Sequence, residues 1–157
     1  MKPKVYVETS VIGYLTNWPS GDLIVAARQK ITRDWWRDAP NKFELVVSDV
    51  VLREAGSGDA QAAQDRLAAI APFPVLAVVQ VANDLAKALI SQSAVPPTFP
   101  EDALHIALAS VNALEYLVTW NFKHIANAQM RTKIGDVCIA EGYPAPTICT
   151  PEELMGV

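Results

Sequence analysis

Soft and imidazole ligands are scarce in this chain, with two cysteines and two histidines among 157 residues. Cys138 and Cys149 stand apart and lack the close pairing of a zinc site, so both are expected as buried free thiols packing like small hydrophobes. Charge is scarce too, at 19% of residues against 51% hydrophobic. That balance excludes a disordered chain and suits an α/β domain with a fully covered sheet. No uninterrupted apolar stretch approaches the ~18 residues of a membrane span. A basic excess is also missing, the net charge being −4 and the pI about 5.1. Bulk electrostatics therefore gives no support to nucleic-acid binding, whereas a surplus of acids suits the holding of a divalent cation. The opening Met1-Lys2-Pro3-Lys4 reaches Glu8 before any apolar segment of signal length, which makes a cytoplasmic location the expectation.

What the chain does contain is an alternation of short β-prone runs and helical periodicity. Lys4–Val7 reads as a strand, followed by a helix with Thr9 or Ser10 at its N-cap. The turn Trp18-Pro19-Ser20-Gly21 stops that helix, and a longer one is expected over Asp22–Asp38, with Asn41 in a turn. Phe43–Val47 reads as the second strand, and Ser48 or Asp49 caps a helix running to Ala55. Asp59–Ala71 is helical, Phe73–Leu76 is an edge strand at best because of Pro74, and Val78–Ser93 is helical again. The proline-rich Val95–Pro100 connector is too short to separate two domains. Pro100–Ala113 begins with proline and two acids, as helix N-termini favour, and is apolar almost all round, so it should be buried. Tyr116–Thr119 is a strand, Lys123–Gly142 is mostly helical, Thr147–Thr150 is a last strand, and Pro151–Leu154 a final turn. The alternation implies one domain over residues 1–157, a three-layer α/β/α sandwich around a mainly parallel sheet.

In open parallel sheets, sites lie beyond the carboxyl ends of the strands. Glu8 follows the first strand, Asn121 follows the fourth, Glu54 lies about a turn into the helix after the second, and Asp102 opens the buried helix. Carboxylate and amide oxygens are the ligands that Mg²⁺ or Mn²⁺ prefers. Each residue also has a plainer role open to it: Glu54 as a solvated helix acid, Glu101 and Asp102 as partners of a helix dipole. No glycine-rich phosphate loop follows the first strand, which tells against a nucleotide-binding domain.

Four segments point further. Val5-Tyr6-Val7-Glu8-Thr9-Ser10-Val11-Ile12 resembles the opening strand and acid-Thr/Ser turn of PIN domains. Ser48-Asp49-Val50-Val51-Leu52-Arg53-Glu54 matches their segment with the second acid, and Glu101-Asp102-Ala103-Leu104-His105-Ile106-Ala107-Leu108-Ala109 their central acidic helix. Leu117-Val118-Thr119-Trp120-Asn121-Phe122-Lys123-His124-Ile125 is similar to their final strand and Thr-x-Asp/Asn motif. The four occur in the family's order and span nearly the whole chain. The resemblance implies a PIN-like fold and Mg²⁺- or Mn²⁺-dependent cleavage of RNA phosphodiesters, with Glu8, Glu54, Asp102 and Asn121 as metal ligands. Many bacterial members of this size are toxins held inactive by a small antitoxin, and PIN domains commonly pair as homodimers. Two positions depart from the family pattern. Glu8 replaces the usual Asp, and Asn121 stands where Asp is frequent, leaving one less negative charge and an expectation of weaker metal affinity. A PIN-like module that binds RNA or a protein without cutting is the competing reading.

Lesser candidates keep two readings each. Thr9 and Ser10 bind a phosphate or water, or cap the helix. Lys123 and His124 meet a phosphate, or are simply exposed. His105 lies one turn after Asp102 and is either part of that site or a packed core histidine. Trp35 and Trp36 are either a stacking platform for bases or helix-face packing. Arg28, Arg33, Arg37 and Arg53 form a basic rim, or pair with Asp34, Asp38 and Asp49.

Overall fold

The protein is described here by a computed structural model covering residues 1–156. Five short strands form one sheet: β1 (Lys4–Val7), β2 (Glu44–Ser48), β3 (Val75–Leu76), β4 (Tyr116–Val118) and β5 (Thr147–Cys149). Their spatial order is β3-β2-β1-β4-β5, and every pairing is parallel. Parallel strands must be joined by crossovers, and here the connections supply α1 (Thr9–Thr16), α2 (Leu23–Lys42), α3 (Asp49–Ala55), α4 (Ala60–Ile70), α5 (Gln80–Ser91), α6 (Pro100–Val111) and α7 (Arg131–Ala140). Right-handed crossovers put helices on both faces, because the chain moves one way from β1 to β3 and the other way from β1's far side to β5. The contacts agree: α1 packs on α2, α3 and α4, while α5 packs on α6 and α7. The result is the expected three-layer α/β/α sandwich. Among the described residues, no helix is long and apolar enough to cross a membrane.

Burial follows from the pattern. The strands read as continuous apolar runs because both faces are covered, and Val5, Tyr6, Val7, Leu117 and Val118 are fully buried. Helix α6 is buried around most of its circumference, as its lack of a polar face predicts, and it packs against β4 and α5. Trp35 and Trp36 meet edge to face, with Trp35 also against Phe43 and Trp36 against Phe73. The tandem tryptophans are thus core packing rather than a platform. Cys138 and Cys149 are free and buried. Burial raises both thiols, Cys149 to about 12, so they stay protonated and inert.

Three local expectations are corrected. Neither Thr9 nor Ser10 is the N-cap of α1; Glu8 is, its side chain accepting from the Ser10 amide at 3.0 Å. Helix α2 begins after its Asp22 cap and runs on through Pro40 to Lys42. The Lys42–Asp38 ion pair and the Asn41–Asp38 hydrogen bond support that last turn, where the missing proline amide costs one bond only. The segment Lys123–Gly142 is helical only from Arg131 to Ala140. Before it, Asn121 Oδ1 accepts from the His124 amide at 3.1 Å and Asn127 Oδ1 from the Gln129 amide at 2.9 Å. Such side-chain bonds to nearby amides hold a chain in turns against helix formation.

Leu117 is fully buried at the centre of β4. Leu117→Ala is expected to lower stability by about 3–5 kcal/mol in urea denaturation, and a loss below about 1 kcal/mol would contradict this placement.

Candidate metal centre

The strand order reverses direction between β1 and β4, and the chain leaves both strands toward the same crevice. Such switch points are where open α/β sheets place their sites. Two backbone bonds extend the pairing past the strands, Glu8 N to Val118 O at 3.1 Å and Thr119 N to Cys149 O at 2.9 Å. A side chain then ties the two turns together, since Ser10 Oγ accepts from the Trp120 amide at 2.9 Å.

Glu8 sits in this corner at 5% exposure. Its Oε1 accepts from Ser10 Oγ at 2.6 Å and from Thr119 Oγ1 at 2.5 Å, and its Oε2 from the Ser10 amide. The carboxylate is therefore held by three donors from both turns. The hydroxyl proton of Ser10 goes to Glu8, and that of Thr9 goes to Glu54 Oε1 at 2.7 Å. Thr9 and Ser10 act in this geometry on the acids rather than facing outward.

Helix α3, capped by Ser48 Oγ on the Val51 amide, carries Glu54 across from β1. Helix α6 brings His105, which is fully buried, to the same place. His105 Nε2 donates to Glu54 Oε1 at 2.6 Å, and Nδ1 lies 2.7 Å from the Tyr6 hydroxyl, which in turn lies 2.7 Å from Ser48 Oγ. Glu8, Glu54 and His105 each offer one ligand atom, and these atoms lie within 4.8 Å of one another. His105 thus belongs both to the core and to the site. Tyr6 and Thr119 complete the arrangement. The sequence held little to single out Tyr6, because a strand tyrosine reads as packing, whereas Thr119 stands in the Thr-x-Asp/Asn motif without a role of its own assigned there.

Asp102, in the first turn of α6, turns Oδ2 to His124 Nδ1 at 2.9 Å. His124 is further fixed by stacking on Phe99, with ring centroids 4.3 Å apart. Asn121 spends its side-chain oxygen on the His124 amide, so it shapes the loop that delivers His124. Lys123 is exposed and, with His124, lines a cavity of about 300 Å³ beside Pro96 and Pro97. Of the arginines, Arg37 pairs with Asp34 at 3.2 Å, and Arg53 approaches Glu101 at 3.9 Å rather than Asp49. Arg28 instead lies over the rings of Phe122 and Trp120, at 4.8 and 5.7 Å from their centroids. That contact holds a planar guanidinium next to the turn bearing Asn121.

Hydrogen-bonding leaves certain oxygens over. Both donors to Glu54 reach Oε1, and the one donor to Asp102 reaches Oδ2. Among the described residues, Glu54 Oε2 and Asp102 Oδ1 receive no hydrogen bond. Oxygens on half-buried carboxylates fixed by their other oxygen suit a hard divalent cation, so these donors fit Mg²⁺ or Mn²⁺; the group whose ligand atoms lie within 4.8 Å of one another is Glu8, Glu54 and His105, and Asp102 stands outside it.

No protein-family model matches the sequence, and no curated protein matches it. Solved structures do share the fold. VapC20 of Mycobacterium tuberculosis, a sarcin-ricin loop cleaving toxin, aligns with 20% identity and a TM-score of 0.55 over 79% of this chain and 95% of that one. VapBC2 from Rickettsia felis, solved bound to a DNA fragment from its promoter, aligns with 15% identity and a TM-score of 0.53 over 94% and 98%. The chain has the fold of these VapC proteins, and the PIN-like architecture implied by its sequence motifs is the one it adopts.

The site also has a protonic signature. Burial opposes the imidazolium at His105, but the bond to Glu54 and the charges of Glu8, Glu54 and Asp102 outweigh it and raise the group above its ordinary 6.5. Burial also opposes the Glu54 carboxylate, and His105, Thr9 and Arg53 outweigh that, leaving it below its ordinary 4.5. A lowered Glu54 stabilises the fold above 4.5 and loses its contribution as pH falls through the folded value. A raised His105 contributes fully below 6.5 and loses its contribution as pH rises through the folded value. In chelator-treated protein, the stability difference between wild type and Glu54→Gln is expected to be largest between pH 4.5 and 6.5 and to shrink on either side. Urea denaturation across that range measures it, and a difference that keeps growing up to pH 9 would contradict the pairing.

Proposed function

We propose that this protein is a Mg²⁺- or Mn²⁺-dependent endoribonuclease, hydrolysing RNA phosphodiester bonds as a toxin-like protein. The observation that carries this reading is the set of pinned carboxylates near the β1/β4 switch point, Glu8 held by both oxygens, and Glu54 and Asp102 each held by one oxygen with the other free. Glu54 Oε2 and Asp102 Oδ1 would hold the cation, with Glu8 as the third acid. A divalent cation bound there supplies neutralisation of phosphate charge and activation of water for in-line attack.

The chain's own residues do the rest. Ser10 and Thr119 fix Glu8, while Thr9 and His105 fix Glu54. His124 orients Asp102, and Asn121 holds the loop that carries His124. We assign Asn121 this supporting role beside the three acids. Arg28 and Lys123 flank the crevice as cations for RNA phosphates, which supplies local positive charge on an acidic protein. Its likeness in fold to VapC20, a sarcin-ricin loop cleaving toxin, supports a toxin-like cleavage activity here.

A cytoplasmic toxin needs restraint, and we read a small antitoxin as the partner. Trp18 (91% exposed), Leu23 (87%) and Ile24 (64%) project where α1 turns into α2, an apolar surface suited to a protein partner. A homodimer is part of the same proposal, as is a single domain over the whole chain.

The test is incubation of the purified protein with tRNA and mRNA mixtures in Mn²⁺, in EDTA, and as the Asp102→Asn variant. Discrete cleavage by wild type with Mn²⁺ is expected, falling to background in EDTA and in the variant, with the variant's far-UV dichroism unchanged. Cleavage retained by folded Asp102→Asn would sink the assignment. No cleavage by wild type under any condition would favour the binding module.

A further inference from the structure

Among the described residues, His105 is the nitrogen ligand grouped with Glu8 and Glu54, so two different roles meet at one atom. Either Nε2 binds the cation directly, or it acts through Glu54. The hydrogen bonds around the ring separate these roles. Nε2 is 2.6 Å from Glu54 Oε1, already the distance of a strong charge-assisted bond. Thr9 Oγ1 meets the same oxygen at 2.7 Å, so both donors converge on Oε1 and neither on Oε2. On the other side of the ring, Nδ1 meets the Tyr6 hydroxyl at 2.7 Å. That hydroxyl meets Ser48 Oγ at 2.7 Å, which accepts from the Val51 amide.

The chain from Val51 through Ser48, Tyr6 and His105 to Glu54 is continuous, and Tyr6, Ser48 and His105 are all fully buried. Its direction follows from the proton inventory. With Ser48 donating to Tyr6 and Tyr6 donating to Nδ1, the imidazole proton stands on Nε2 and points at Glu54. In the imidazolium, Nδ1 donates to the tyrosine oxygen instead, and Nε2 still donates to Glu54. Only a bare Nε2 lone pair could bind a cation, and that state would set two acceptors 2.6 Å apart and leave Glu54 Oε1 with Thr9 as its one donor. The edge-to-face contact of the Tyr6 and His105 rings, 5.7 Å between centroids, holds the imidazole plane as well.

We propose that His105, oriented by Tyr6 and Ser48, is a positioning residue that pins Glu54 by Oε1 and so presents Oε2 to the cation, without binding the cation itself. The inference rests on the reading of the crevice as a divalent-cation site. It makes α6 a supplier of two different parts: Asp102 as a ligand and, one turn on, His105 as the clamp on a ligand carried by α3. Removing such a partner of a metal ligand usually weakens metal binding by about 10–100-fold while the ligands remain.

The experiment is Mn²⁺ binding to the full chain by electron paramagnetic resonance, for wild type, Tyr6→Phe, His105→Gln and His105→Leu, with thermal unfolding run alongside. His105→Leu is expected to bind about 10–100-fold more weakly than wild type, and Tyr6→Phe about tenfold more weakly. His105→Gln keeps an N–H that can reach Glu54, and is expected to lose less than His105→Leu. If the leucine variant does not fold, Tyr6→Phe, which deletes one oxygen, decides. Pulsed resonance on Mn²⁺-loaded wild type should show no directly bound nitrogen that disappears in His105→Gln. Such a nitrogen would overturn the proposal, as would Mn²⁺ affinity unchanged in Tyr6→Phe and His105→Gln alike. Wild type that binds Mn²⁺ while the variants match it removes only the positioning role. Wild type that binds no Mn²⁺ removes the cation reading and this inference together.

Discussion

A carboxylate carried into a partly buried crevice loses water, and it must be given donors or be neutralised. Much of the local structure around the β1/β4 switch point answers that demand. Glu8, the least exposed of the acids, takes donors from both turns and serves as the cap of α1. The same contacts thereby fix where α1 starts and how closely the turns after β1 and β4 approach. Glu54 and Asp102 are each met by a histidine, from α6 in one case and from the Asn121–Met130 loop in the other. The donors fall on one oxygen of each of these two acids, which is what separates a ligand set from a buried network satisfied on every side.

That constraint also makes sense of the two departures from the PIN pattern. The extra methylene of Glu8 lets its carboxylate fold back on the Ser10 amide while still meeting Thr119 from the far turn. At Asn121 the needed group is an acceptor for the His124 amide, which an amide oxygen supplies as well as a carboxylate would. On this account Asn121 gives up a charge without giving up the loop, and the holding of a cation falls to the three acids.

The sheet order could not be read from the sequence directly, yet the strands, the buried helix and the acids after each strand could. Continuous apolar runs and helix periodicity carry that information locally, and the rule about strand carboxyl ends turns it into a site. What escaped lay in side-chain geometry. Nothing in the Glu101–Ala109 segment distinguishes a packed His105 from one bonded to Glu54, because both are buried on the same helix. Tyr6 has the composition of any strand aromatic. The turns up to Met130 fall within the helix expected over Lys123–Gly142, but two asparagine side chains binding nearby amides decide otherwise. The motif segments, by contrast, pointed to the fold that the VapC structures share at 15–20% identity, since they record where acids must stand rather than how cores are filled.

The most direct test of the central claim is anomalous diffraction from crystals soaked in Mn²⁺. The account predicts a peak in coordination contact with Glu54 Oε2 and Asp102 Oδ1, with Glu54 Oε1 still bonded to His105 and Thr9. A crevice without anomalous density at saturating Mn²⁺, in crystals whose acids keep the hydrogen bonds described here, would contradict it.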